Sequence, residues 1–284
     1  MRHSERMRIL VTGSKGLIGR AVVHRLEAGG GGVPVCEVIG FDIADGDDIL
    51  DGEALTRAAR GCDAIVHLAA LLGRPGESRS EIMTVNVTGT WNVLVAAQAA
   101  GVGRVVNFSS VNALGIFSGN GVPDYLPIDD AHPARATTAY GISKRLGEEM
   151  CRCFTLASGI ATICIRPPWV CDAAMMQAEL ARRAADTAAE WSPFWEYGAW
   201  IDVGDLAEAV AAALRCPDPG HVTALVVAAD MASDSPAREL ARRLLPSVAW
   251  RGAEDAAALV RCEVAHEVLG WVPTTRWPGR KPNR

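Results

Sequence analysis

No uninterrupted apolar segment of the 284-residue chain is long enough to span a bilayer, which excludes a helical membrane protein. An apolar signal-peptide core is missing from the opening M-R-H-S-E-R-M-R-I-L, so a cytoplasmic location is expected. Cysteine occurs eight times (36, 62, 151, 153, 164, 171, 216 and 262) but never in paired C-x-x-C spacing. Several of these cysteines lie in apolar runs, and Cys151 and Cys153 diverge on an expected helix, which argues for reduced thiols and against a metal clip. His67 has no second histidine at metal-site spacing and reads as a core residue; no metal is expected. A basic excess is absent too: with a net charge of −5 and 21% charged residues, no nucleic-acid partner is expected. No internal repeat is evident.

What is present is an alternation. Apolar runs at 7–12, 35–42, 64–69, 104–110 and 161–167 read as strands, with helical periods at 16–26, 52–60, 81–100 and 138–157 between them. Continuous apolar strands separated by helices imply an α/β fold with a parallel sheet covered on both faces. After Pro167 the character changes to an Ala-rich, Trp-bearing stretch over 172–200, a helix at 205–215 and a strand at 222–228. The expected organisation is a doubly wound, Rossmann-type domain over 1–170 and a small, partly interleaved substrate lobe over 171–284. The four glycines 29–32 read as a flexible joint, and Asp205 as the cap of the helix after it.

In T-G-S-K-G-L-I-G (12–19), glycines 13, 16 and 19 follow a strand and open a helix. Lacking side chains, they let the backbone approach a pyrophosphate at the positive helix end. Gly13, Lys15, Gly16, Leu17, Ile18 and Gly19 are the expected contacts. Asp42 ends the next strand, about 20 residues on, where a carboxylate accepts both hydroxyls of an adenosine ribose. That carboxylate would repel a 2′-phosphate, so NAD is expected over NADP, although Lys15 leaves room for the phosphorylated form.

Given a nicotinamide, the stretch T-A-Y-G-I-S-K gains a use. Tyr140 and Lys144, four apart, share a helix face, where an ammonium and the positive nicotinamide would stabilise a phenolate. Ser110, ending the strand V-V-N-F-S-S, would stand at the mouth of the sheet and hold the substrate oxygen.

These pieces resemble an extended short-chain dehydrogenase/reductase, the group that includes the NAD-dependent epimerase/dehydratase family. Further matches are H-L-A-A (67–70), N-V-T-G-T-W-N-V-L (86–94), F-S-S (108–110), R-P (166–167), I-D-V-G-D-L-A (201–207) and L-G-W-V-P (269–273), covering nearly the whole chain. The resemblance implies that Ser110, Tyr140 and Lys144 are catalytic, and that Tyr140 and Lys144 also contact the cofactor, Lys144 at the nicotinamide ribose. It further implies that Asp48 and Ile49 flank the adenine, that Leu68, Ala69, Ala70, Arg166 and Pro167 border the cofactor, and that Asn86 lies near the site. A homodimer through the helices at 81–100 and 138–157 is a family expectation.

Three departures bear on the reaction. Similar sugar dehydratases carry an Asp-Glu pair directly after the catalytic hydroxyl residue; here Val111 and Asn112 stand there. Only about 30 residues separate R-P-P-W-V-C from I-D-V-G-D, too few for a typical nucleotide-sugar insert, and Arg182 and Arg183 read as a solvated face rather than a diphosphate clamp. The aromatic that epimerases tend to carry four places after the serine is Leu114. A small, sugar-like or carbonyl substrate undergoing hydride transfer is the leading expectation. The alternatives are an epimerase that retains its NAD and a non-catalytic NAD-binding regulator.

Overall fold

The computed structural model describes residues 6–30, 32, 34–186 and 196–278. Six parallel strands form the central sheet: β1 (Arg8–Thr12), β2 (Glu37–Phe41), β3 (Ala64–His67), β4 (Arg104–Phe108), β6 (Ala161–Arg166) and β9 (His221–Leu225), in spatial order β2-β1-β3-β4-β6-β9. Along each strand alternate side chains face opposite ways, and both faces are apolar. Ile9, Val11, Val66, Val106 and Ile163 enter one core, while Leu10, Ile65, Val105 and Cys164 enter the other. On the first face α1 (Leu17–Ala28) packs against α7 (Val203–Arg215). The second is covered by α2 (Gly52–Ala59), α4 (Gly89–Ala100) and α5 (Ala139–Ser158), with the short α3 (Arg79–Met83) before them. The order reverses between β1 and β3, which opens a crevice at their C-terminal ends.

The last strand of this sheet, β9, comes from beyond residue 171. Conversely, the lobe draws on the first half: β5 (Tyr125–Leu126) pairs with β10 (Ala249–Trp250), and Val111, Leu114, Phe117 and Ile128 share a core with Tyr197, Leu240 and Leu259. Nearby, β7 (Trp169–Cys171) pairs with β8 (Trp200–Asp202), followed by α6 (Ala173–Ala185) on one side and, further along, α8 (Ala237–Leu244) and α9 (Glu263–Leu269). Trp200, fully buried, meets Trp277 edge to face; Trp191, Trp195 and Gly31 lie outside the described residues. No helix among the described residues is long and apolar enough to cross a membrane.

Two expectations need correction. Asp205 is not the cap of α7: Asp202 is, accepting from the Gly204 and Asp205 N–H groups at 2.8 and 3.2 Å. Asp205 is buried instead and accepts from Thr274 N–H, Thr274 Oγ1 and Thr275 N–H, tying the C-terminal segment to the fold. Its position two residues inside the helix, facing that segment, explains the exchange. Nor is Arg183 part of a solvated face, although Arg182 keeps 38% of its side chain exposed. Both bond Glu179, and Arg183 also donates to the Ala232 carbonyl and lies over the Trp277 ring.

Candidate active site

The glycine loop closes between β1 and α1. Gly13 has a φ of +70°, and a Cβ there would lie 2.7 Å from the Ala69 nitrogen; one on Gly19 would run into the Gly13 carbonyl. Glycine is therefore required at both, by backbone conformation at the first and by helix-on-loop packing at the second. Helices α2, α5, α6 and α7 each start with a side-chain cap, from Asp51, Thr138, Asp172 and Asp202. Helix α1 starts at Gly16 with no side-chain cap and no acid in its first turn, leaving an uncancelled positive end at the crevice. A bare N-terminus, a cradle that a Cβ would fill and a carboxylate beside it fit a dinucleotide.

That carboxylate is Asp42, which accepts from Lys15 N–H at 2.8 Å and Ala44 N–H at 2.9 Å. These bonds fix its aim across the loop and leave its remaining lone pairs for hydroxyl donors. The Lys15 ammonium pairs with Asp45. Ile43, 70% exposed beside Asp42, is an apolar platform that the sequence reading passed over. Asp48 accepts from Leu50 N–H, while the Ile49 side chain turns into the core against Gly89.

Leu68, Ala69 and Ala70 follow β3, half-buried beside the loop. Leu71, next in line, is held by Asn86: its Oδ1 accepts from Leu71 N–H at 2.8 Å, and its Nδ2 donates to the Leu71 carbonyl and to Ser143 Oγ, both at 2.9 Å. Asn86 sits in a π-helical turn (Thr84–Thr88) between α3 and α4, and the extra residue per turn aims its amide at α5. His67 is a satisfied core residue, bonded to Thr12 Oγ1 at 2.7 Å and Thr90 Oγ1 at 3.1 Å; burial pushes it down to about 3, hence neutral.

The proposed catalytic side chains come together. Gly141 lets α5 press on the turn Val111–Leu114, since a Cβ there would lie 2.6 Å from the Asn112 carbonyl. This brings Tyr140 to Ser110, which is itself pinned by accepting from Asn112 N–H at 3.1 Å. Burial pushes Tyr140 up to about 12; the Ser110 hydroxyl favours the phenolate and the nearby Glu196 carboxylate opposes it. Lys144 donates to the Phe108 carbonyl at 2.8 Å, its Nζ 5.7 Å from the Tyr140 ring centre. Burial lowers the ammonium to about 8. Lys144 thus lies on the Tyr140 side of its helix, as the spacing implies, with its ammonium held at the Phe108 carbonyl.

Val111 is fully buried in the lobe core, and neither it nor Asn112 offers a carboxylate. The Arg166 side chain is bound within the protein. Its guanidinium does not reach into the crevice: Nε and Nη2 bond the Glu148 carboxylate at 2.6 and 2.8 Å, both side chains being buried. Two more donors, Ser109 Oγ and Arg145 Nη1, complete the acceptor set of Glu148. Arg166 is thus committed to bracing α5 against β6, one helical turn below Lys144.

Glu196 is the functional candidate that sequence reasoning missed. Ser118 Oγ donates to its Oε1 at 3.4 Å, but Oε2 is buried without a hydrogen-bond partner among the described residues. Burial pushes the carboxyl up to about 7, against the lowering effect of the Trp169 backbone N–H and Ser118. Nothing in the local string W-E-Y-G marks it; the signal lies in the fold.

The chain is similar to several known proteins. The chain is 29% identical over 222 residues to a uronate dehydrogenase of Pseudomonas syringae pv. tomato, covering 75% of this chain and 72% of that one. To the L-arabinose 1-dehydrogenase (NAD(P)+) of Haloferax volcanii it is 29% identical over 234 residues, covering 78% and 89%. Human UDP-glucose 4-epimerase is 35% identical over 172 residues, 51% of this chain but 48% of that enzyme. Among solved structures, a short-chain dehydrogenase/reductase superfamily protein from Agrobacterium tumefaciens with bound NAD superposes with a TM-score of 0.70 at 25% identity, covering 95% and 93%. Residues 9–228 match the model of the NAD dependent epimerase/dehydratase family, and the chain belongs to that family.

Proposed function

We propose that the protein is an NAD-dependent dehydrogenase of a small sugar. The observation that carries this reading is the convergence of Ser110, Tyr140 and Lys144 beside a glycine cradle with a bare helix N-terminus. Gly13, Gly16 and the first turn of α1 would hold the pyrophosphate, Asp42 the adenosine ribose, Ile43 the adenine and Lys144 the nicotinamide ribose. Bound NAD supplies a two-electron acceptor and a positive ring near Tyr140. Ser110 holds the substrate hydroxyl by its oxygen, and Tyr140, as phenolate, takes the hydroxyl proton. The Lys144 ammonium, beside the Tyr140 ring, would offset the phenolate charge and could donate to the nicotinamide ribose. Asp42 favours NAD over NADP.

The uronate and arabinose dehydrogenases, matched over most of their length, support net oxidation over epimerisation. A second reading, an epimerase that retains its NAD, draws on the human UDP-glucose 4-epimerase, which the chain matches over half its length. We further propose a homodimer through α4 and α5, where Trp91, Val95 and Leu146 are exposed, and a cytoplasmic setting, in keeping with eight free cysteines. Incubation with NAD and a panel of aldoses, uronates and nucleotide sugars, followed at the nicotinamide absorbance, tests the reading. NADH formation with a monosaccharide is expected; none with any sugar refutes it.

A further inference from the structure

Beside Glu196 lies a cavity of about 80 Å³ lined by Trp169, Glu179, Arg183, Gly198, Ala199 and Ala232. Trp169 in this lining follows the C-terminal end of β6, and Glu196 accepts from Ser118 in the segment after the Ser110 turn, so the cavity lies at the C-terminal edge of the sheet where Ser110 and Tyr140 stand. Its volume suits a hydroxyl or hydroxymethyl group with a water, not a whole sugar ring. The single cation in its lining is already spent: Arg183 bonds Glu179 at 2.7 Å, donates to the Ala232 carbonyl and stacks on Trp277. Glu196 therefore has no balancing charge from Arg183, and the lining holds two carboxyl groups against one guanidinium. A buried acceptor with no partner is costly to keep unless a ligand completes it.

We propose that Glu196 selects a neutral, polyhydroxylated sugar over an anionic one, its Oε2 accepting a hydrogen bond from a substrate hydroxyl in this cavity. This rests on the dehydrogenase reading only for the position of the cleft. A uronate would bring a second carboxylate toward Glu196 and Glu179 with no free cation to receive it. A site built to accept from a hydroxyl discriminates steeply against a ligand that cannot donate, because its own buried group is then left unpaired.

The test is binding without turnover: calorimetric titration of the NADH-saturated protein with D-galactose, L-arabinose and D-galacturonate. In the wild type both neutral sugars should bind about tenfold or more tighter than D-galacturonate, which differs from D-galactose only at C6. Glu196→Gln should shrink that ratio to about threefold or less, and Glu196→Ala should weaken the neutral sugars about tenfold. Unchanged NADH affinity in both variants shows that the fold is kept. Equal or tighter binding of D-galacturonate to the wild type, no binding of either neutral sugar, or a ratio that Glu196→Gln leaves alone overturns the proposal. Because turnover is not read, absence of dehydrogenase activity would defeat the proposed reaction without altering this result.

Discussion

On the β1–β2 side of the crevice the polar groups are already partnered: Asp42 by two backbone N–H groups and Lys15 by Asp45. Across the crevice, on the lobe side, Glu196 keeps a buried oxygen with no partner among the described residues, near a Tyr140 that burial holds far from ionisation. The nucleotide side is preorganised for a ligand shared by a whole family, so it spends its side chains on holding backbone in place. The lobe side leaves its acceptor open for the group that distinguishes one substrate from another. Preorganisation on one side and unmet hydrogen-bonding on the other divide cofactor affinity from substrate choice.

That division predicts separable losses. Tyr140→Phe should cut kcat by about 10² to 10⁴, the usual contribution of a general acid–base, and leave the NAD dissociation constant within about threefold. Steady-state kinetics with an NAD titration would check it; a matched loss of NAD affinity would erase the division at its centre. Arg166→Met should destabilise the protein by about 3–5 kcal/mol, because it strands a buried Glu148 carboxylate. Urea unfolding measures this, and folded Arg166→Met should still bind NAD normally, which sets Arg166 apart from the nucleotide side. Asp42→Ala should weaken NAD about tenfold or more and narrow the preference over NADP, through loss of charge-assisted bonds to the ribose. Parallel titrations with the two nucleotides decide it.

The smallest effect concerns pH. Glu196 is raised to about 7, above its ordinary carboxyl value, so the folded state holds this proton more tightly than the unfolded chain. The stability it contributes is present at pH 4 and lost as pH rises through 7. Between pH 5 and 8 the wild type should therefore lose melting temperature relative to Glu196→Gln. Parallel melting curves for the two would expose an unperturbed carboxyl.

The sheet was legible because its strands are apolar on both faces, and the glycine loop because its requirements are local in sequence. Tyr140, Lys144 and Ser110 were legible as a pattern, but Lys144 reaching for the Phe108 carbonyl was not, since backbone acceptors carry no sequence signal. The π-turn that aims Asn86 is likewise a matter of hydrogen-bond register. Asp205 reads as a cap from its neighbours alone; its partners Thr274 and Thr275 are about 70 residues away. Glu196 is hidden because its surroundings come from separate elements, β7, α6 and the stretch after β9. Arg183 looks solvated until Trp277 arrives from the far end of the chain.

The central claim is net oxidation of a small sugar, and stoichiometry tests it most directly. With excess NAD and limiting monosaccharide, followed by nicotinamide absorbance and product mass together, one NADH should appear per sugar consumed. Conversion of a sugar to its epimer, with no net NADH, would contradict it.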